Sequence, residues 1–528
     1  MNVRQLIEQY RGNKKALLFI VYIALFLDNM LLTAIVPIIP EYLMKLNFPD
    51  ASKDILDQAK LEEADRFKRQ TTWDDDSWDI PANKMGRKKT TALSYVATTP
   101  PWAPESEQDF AMGPTRSRIR NEPVRNATTR PLSLDDKHAL IAKENILVGL
   151  MFGSKALVQL LVNPWVGPLT NRIGYSVPMF VGFVIMFLST LLFAFGESYP
   201  MLWLARAMQG VGSACTSTSG MGMLAQAYPD DAERGSAMGI ALGGLALGVL
   251  VGPPYGGILY QWSGKELPFV ILALLALFDG SLQFAVLQPK ISKGEPEGST
   301  IRQLAKDPYI IVAAGAITIG NLGIAMLEPS LPLWMMESWG ANSFERGAAF
   351  IPASISYLVG TNIFGPLAHR MGRWLSALIG LVVIGLSLLS IPSATSVSGL
   401  ILPHLFMGLS IGMIDASMFP LMGYLVDIRH VGVYGSIYAI ADAAFCFAFA
   451  LGPFFSGPLV RSVGFPTMLY IIAVISFAYA PLMYLLRDPP SINREEEQTV
   501  NTGMLKAAPE RYDTIPGTNV IQMEGYHY

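Results

Sequence analysis

GPLTNRIG, residues Gly167 to Gly174, returns as GPLAHRMG at Gly365 to Gly372. Two more pairs follow at the same spacing of about 200 residues: GSAMGIA from Gly235 with GSIYAIA from Gly435, and GPPYGG from Gly252 with GPFFSG from Gly452. A chain that repeats itself in order on this scale is built from two copies of one unit in the same orientation.

What lies between the repeats is apolar. Windows long enough to cross a bilayer, roughly 20 residues, occur near 16–40, 145–168, 177–197, 199–223, 235–259, 267–288, 309–333, 346–367, 374–393, 398–422, 433–457 and 465–486. Only 15% of the chain is charged, where soluble domains carry about 25%. The expected fold class is an all-α polytopic membrane protein, with twelve transmembrane helices in two six-helix halves. The expected organisation is a cytosolic tail (1–15), a first half (16–288) with a long non-cytosolic loop (45–143), a cytosolic linker (289–308), a second half (309–487) and a cytosolic tail (488–528). Sidedness follows from the short loops. Arg4, Arg11, Lys14 and Lys15 precede the first span, and Arg172, Arg234, Lys290, Lys293, Arg302, Lys306, Arg370, Arg373 and Arg429 fall in alternate connections. The opposite short loops hold few: Lys265, Arg346 and Arg461. The first apolar run is too long, and lacks the small-residue cleavage site, for a removable signal peptide.

The long loop carries the sequon Asn126-Ala127-Thr128 on the side where glycosylation occurs, with Trp73, Trp78 and Trp102 in a polar stretch expected to be disordered. The tail contains Tyr512-Asp513-Thr514-Ile515, which fits a Tyr-x-x-apolar signal for sorting adaptors. Cys215 and Cys446 fall inside spans and read as small buried residues without a disulfide.

Charges inside spans cost about 2.5–3.5 kcal/mol each on insertion scales and therefore need a partner, a proton or a ligand. Asp28, Lys155, Arg206, Asp279, Glu328, Asp415 and Asp442 all lie there. Asp279 reads as a helix-packing residue near a span end, and Asp427, Arg429 and His430 as solvated loop residues. The central group then holds four acids, Asp28, Glu328, Asp415 and Asp442, against two bases, Lys155 and Arg206. Structural ion pairs leave two acids over, to be protonated or met by something that enters. A cavity with surplus acids holds protons or an organic cation and resists holding both. Asn29, Asn321, Trp334, Phe350, Tyr357, Tyr434, Tyr438 and Phe445 surround these charges, and aromatic faces attract ammonium groups.

Gly167-x-Leu169-x-Asn171-Arg172-x-Gly174 resembles the loop motif between the second and third helices of the major facilitator superfamily, with Asn171 in place of the usual Asp. Gly239, Gly248, Gly252-Pro253 and Gly256-Gly257 fit G-x8-G-x3-G-P-x2-G-G, a pattern associated with proton-coupled antiporters; ordinary small-residue packing is the competing reading. LDNMLLTAIVPIIP, ERGSAMGIALGGLALGVLVGPPYG, GNLGIAMLEPSLPLWMME and GYLVDIRHVGVYGSIYAIADAAFC resemble vesicular amine transporters, and the monoamine more than the acetylcholine members.

That resemblance implies a vesicle-membrane antiporter that exchanges lumenal protons for cytosolic monoamines such as dopamine and serotonin. It implies sensitivity to reserpine and tetrabenazine, no cofactor and no nucleic-acid partner. Carried over, it places Asp28 and Glu328 at the ammonium group, with Asn29, Asn321, Tyr357, Tyr438 and Phe445 lining the site. Trp334 and Phe350 would gate the lumenal side, Lys155 would pair with Asp442, and Lys155, Arg206, Asp415 and Asp442 would couple protons. Two features depart from the family's pattern: no lumenal cysteine for a disulfide, and Phe449 in place of a tyrosine. The rival functions are acetylcholine–proton exchange, broad multidrug antiport, and a non-transporting sensor on the same scaffold. An enzyme has no support, because five histidines and two cysteines form no metal or nucleophile constellation.

Overall fold

Main-chain N–H and C=O groups have no water to bond in hydrocarbon, so each apolar window closes its own hydrogen bonds as helix. The computed structural model describes residues 13–39, 42–43, 46, 134–287, 299–341, 343–431 and 433–491. Twelve long helices run through them: α1 (Lys14–Ala34), α2 (Leu134–Ile173), α3 (Ser176–Phe195), α4 (Tyr199–Ala227), α5 (Asp231–Ser263), α6 (Glu266–Leu287), α7 (Pro308–Trp339), α8 (Ile351–Met371), α9 (Arg373–Ser390), α10 (Val397–Arg429), α11 (Gly435–Val463) and α12 (Phe465–Tyr479). Each apolar window coincides with one helix, and no strand occurs among the described residues. Residues 47–133 with the Asn126 sequon and the loop tryptophans, 288–298 of the linker, and 492–528 with the Tyr512 signal lie outside the described residues. The packing described below lies within the unit formed by residues 1–47 and 141–528.

Ten of these helices are long and apolar enough to cross a membrane. The other two, α2 and α4, have spanning length but turn polar faces inward. Ser154, Lys155, Gln159, Asn163 and Thr170 of α2 are buried, as are Arg206, Gln209, Ser213, Thr216, Thr218 and Ser219 of α4. An interior lined by these two helices is polar.

The spaced glycines set how closely helices approach. On α5, a Cβ at Gly248, Gly252 or Gly256 would run into main-chain atoms of Phe26, Met30 and Ala34 on α1. Across this seam Thr33 donates to the Gly248 carbonyl at 3.2 Å. Gly257 has only Pro37 nearby, at 3.8 Å, so packing does not demand the last glycine of the pattern. The repeat places Gly452 of α11 against Ala325 of α7 in the same way. The Ala325 carbonyl is free to sit there because Pro329, one turn on, has no N–H to donate to it.

The repeated octapeptides lie at the two crossings between the first six helices and the last six. A Cβ on Gly167 would press on Gly435, Ser436 and Ala439 of α11, and one on Gly365 would press on Gly235 and Gly239 of α5. These contacts run α2 against α11 and α8 against α5 in antiparallel register. The side on which α1 begins is hereafter the terminal side.

Gly252→Val is expected to force α1 off α5 and cost about 1–3 kcal/mol or more, since the added atoms meet the Thr33 hydroxyl, which is tied to the Asn29 and Gly248 carbonyls, and behind it main-chain atoms of Met30 and Ala34. Gly257→Ala should be close to neutral. Thermal melting of the two variants in detergent checks the contrast; equal melting would mean the seam is not tightly packed.

Candidate functional site

The last-third position of Asp28 on α1 brings its carboxylate to the interior, 3% exposed. Lys155 Nζ of α2 donates to Asp28 Oδ1 at 2.9 Å, and Ser213 Oγ of α4 donates to the same oxygen at 2.6 Å. The expected Lys155–Asp442 pair is therefore corrected. Asp442 of α11 instead accepts from Gln159 Nε2 at 2.9 Å and Asn163 Nδ2 at 2.7 Å. Lys155, Gln159 and Asn163 stand one turn apart on one face of α2. The lysine is level with Asp28 and the carboxamides are level with Asp442, so the lysine goes to the nearer acid.

Arg206 of α4 is fully buried beside this cluster. Its Nη1 donates to Gln209 Oε1 at 2.8 Å and its guanidinium lies 5.8 Å from the Phe152 ring, while Nε and Nη2 have no hydrogen-bond partner among the described residues. Asn29 is not turned to Asp28. Its Nδ2 bonds the Leu25 carbonyl one turn back at 2.9 Å, beneath Gly248.

The last six helices build a different acid site. Asp415 of α10 is fully buried. It accepts from Asn321 Nδ2 of α7 at 3.0 Å and from Tyr357 OH of α8 at 3.0 Å. No cation contacts it among the described residues. Asn321 and Tyr357, expected to line the substrate site, are thus the groups that hold Asp415. Under the repeat, α1, α2 and α4 correspond to α7, α8 and α10. One triad carries Asp, Lys and Ser on those helices, and the other carries Asn, Tyr and Asp. The first neutralises its carboxylate with a cation and the second offers only neutral donors.

Glu328 stands seven residues beyond Asn321 on α7, two turns along the same face. Its side chain is exposed although protein atoms crowd around it, as suits a group lining an interior space. It has no ion-pair or hydrogen-bond partner among the described residues. Pro332 cannot donate to the Glu328 main-chain carbonyl, so a second acceptor is left open at the same place. Phe445 and Phe449 pair at 4.8 Å on α11, which packs along α7.

Trp334 is stacked on Phe465 at 4.6 Å and meets Trp339 edge-on at 5.1 Å, and Phe350 meets His404 edge-on at 5.9 Å. Both sit toward the end of the molecule opposite the terminal side, in separate aromatic clusters. Tyr438 lies elsewhere than expected, with its hydroxyl 3.5 Å from Met238 Sδ and close to Gly423, wedged toward the terminal side. Asp279 accepts from Gln283 at 2.7 Å on α6 and leaves Oδ1 unpaired, apart from both acid clusters.

The terminal side is closed by contacts between the first six helices and the last six. Arg234 Nη1 donates to Asp427 at 2.7 Å and lies over the Tyr434 ring, while Tyr434 OH bonds the other Asp427 oxygen at 2.7 Å. Arg373 donates to Asp231 at 2.8 Å, His369 stands 3.2 Å from the same carboxylate, and Asn171 donates to Ser436 at 2.9 Å. Asn171 thus makes a neutral latch where a charged one is usual. Asp427 and Arg429, expected in a solvated loop, are helical and paired. Arg429 Nε and His430 contact Asp307 at 2.7 and 3.0 Å. Burial pushes the Asp307 carboxyl up, but hydrogen bonds from Arg429, the Tyr309 N–H and His430 outweigh it and hold it below the ordinary range. Its contribution to stability is present above the usual carboxylate value of about 4 and is lost as pH falls through the lowered one.

The family model of the Major Facilitator Superfamily matches residues 137–443 and 322–511. The human synaptic vesicular amine transporter is 48% identical over 500 residues, covering 94% of this chain and 92% of that protein. The chain belongs to the vesicular amine transporters. The rat chromaffin granule amine transporter of this family is 46% identical, with 94% and 92% covered, and the mouse vesicular acetylcholine transporter 36%, with 93% and 86% covered. Among solved structures, the human organic anion transporter MFSD10 (TETRAN) aligns with TM-score 0.61 at 14% identity over 89% of this chain and 99% of that one, a likeness of fold alone.

Several residues that build this vesicular amine transporter's sites were not singled out in the sequence: Gln159, Asn163, Ser213 and Asp231; Arg234 and Arg373 were read only as loop charges. The Lys155-Gln159-Asn163 spacing was visible as one polar stripe on an otherwise apolar helix. Nothing local announces the pairings of Arg234 or Arg373, whose partners lie far along the chain.

Proposed function

We propose that the protein loads cytosolic monoamines, such as dopamine and serotonin, into secretory or synaptic vesicles in exchange for lumenal protons. The observation that carries this reading is Glu328: an exposed carboxylate two turns beyond Asn321 on α7, with no ion-pair or hydrogen-bond partner among the described residues. An ammonium group supplies the charge and N–H donors that such a group lacks. Relatives bearing the name of amine transporters, at 46–49% identity, support the substrate class.

In this reading the terminal side faces the cytosol, as the loop charges indicate, and the first six and last six helices move as two halves. The Arg234–Asp427 and Arg373–Asp231 pairs open to admit amine and re-form to expose the interior to the lumen. A lumenal proton then passes to Asp415, whose neutral partners tolerate either protonation state, and neutral Asp415 no longer helps retain a cation. Asp28, held by Lys155 and Ser213 under the field of Arg206, is the second acid that an entering amine competes for. Trp334 and Phe350 wall the lumenal exit, and reserpine and tetrabenazine would occupy the same interior.

Glu328→Gln is expected to raise the KM for serotonin about tenfold or more by removing one charge-assisted contact. The assay is uptake of labelled serotonin into vesicles under an imposed pH gradient. Unchanged KM would remove Glu328 from the amine site. Acetylcholine in the same vesicles tests the nearest rival, since a quaternary ammonium cannot donate to Glu328, and the 36% identity to that transporter is lower.

A further inference from the structure

Helices α1, α5 and α8 leave a cavity of about 790 Å³ between them on the terminal side, within the roughly 300–1,000 Å³ of ligand sites. It is separate from both acid clusters. Leu18, Phe19 and Tyr22 of α1, Ile240 of α5 and Pro366 of α8 form its apolar lining. Phe19 is 57% and Ile240 41% exposed, and large apolar side chains exposed on a membrane-spanning helix face lipid. The cavity mouth therefore opens to the bilayer.

The charges at its rim do not cancel. Lys14 stands 3.9 Å from Glu233 and over the Tyr228 ring, and His369 is spent on Asp231, which Arg373 already holds. Lys15 of α1 and Arg370 of α8 remain, both lining the cavity and neither ion-paired among the described residues. Two unpaired cations from different helices, above an apolar and lipid-facing floor, match a phosphate that carries acyl chains. They repel an amine, and an uncharged chain would leave them unmatched.

We propose that this cavity holds one anionic phospholipid of the leaflet on the terminal side. Its phosphate lies between Lys15 and Arg370 and its first acyl carbons lie on Phe19 and Ile240. Because α1 and α5 belong to one set of six helices and α8 to the other, the lipid bridges the closed crossing and favours that state. This consequence rests on the two-state transport reading; the binding itself does not.

The test is native mass spectrometry of protein reconstituted in equal phosphatidylserine and phosphatidylcholine. The parent should retain phosphatidylserine about thirtyfold over phosphatidylcholine, as expected for two cations near a membrane surface. Lys15→Gln with Arg370→Gln should abolish the preference, and Ile240→Trp, which fills the cavity without touching charge, should release the lipid. Inorganic phosphate and soluble glycerophosphoserine should fail to displace it. A parent without preference, a double variant that keeps it, or displacement by phosphate alone would overturn the proposal. The measurement needs no transport, so it stands or falls apart from the assignment of substrate.

Discussion

Uphill accumulation of amine is expected to vanish in Asp415→Asn while the protein folds and still binds a tight inhibitor. Asp415 is buried, contacts no cation among the described residues, and is held by one amide and one phenol, each at 3.0 Å. An Asn fills the same volume and keeps a carbonyl oxygen to accept from one of them. The structural loss is about one hydrogen bond, roughly 1 kcal/mol, too little to unfold a bundle of twelve helices. What disappears is the capacity to take up and release a proton. Uptake should fall to the level seen with the pH gradient collapsed, and equilibrium inhibitor binding on the same membranes should stay near parental. Amine accumulation that persists under a pH gradient would take Asp415 out of the coupling path.

Asp28→Asn is expected to do something different: to damage stability as well as transport. Lys155 would be left 5% exposed with its anion gone, and Arg206 would lose the nearest negative charge in its surroundings. Breaking a buried pair from one side costs about 3–5 kcal/mol, whereas removing both charges is far cheaper. Asp28→Asn with Lys155→Met should therefore melt close to the parent and still fail to transport. The same cycle run on Asp442 and Lys155 should show much weaker coupling, because carboxamides, not the lysine, contact Asp442. Melting temperatures of the single and double variants give the coupling energies directly. Stronger coupling of Lys155 to Asp442 than to Asp28 would restore the pairing expected from the family.

The sequence by itself determined the twelve helices, the two-copy plan and the family. Each rests on local or periodic information: a run of apolar residues makes a helix wherever water is excluded, and a repeated motif marks the same place in each copy. It also determined which charges stand within the spans, because Asp28, Lys155, Arg206, Asp279, Glu328, Asp415 and Asp442 lie inside apolar runs whatever the packing. Which acid answers to which donor was decided only by the tertiary structure. A shift of α2 along its axis by one turn, about 6 Å, exchanges Lys155 for Gln159 opposite a given acid, and no local signal sets that register. Interhelical contacts set it: Gly210 of α4 lies against the Lys155 carbonyl, and Gly167 of α2 against α11. Asn321 and Tyr357 look the same in sequence whether they meet a ligand or a carboxylate, and only the closeness of α7, α8 and α10 assigns them to Asp415. Asp427 and Arg429, polar residues at a span end, read as solvated until Arg234 and Asp307 arrive from distant helices. Helix formation is settled within a few turns of chain, while the pairing of buried charges depends on atoms brought together from hundreds of residues apart.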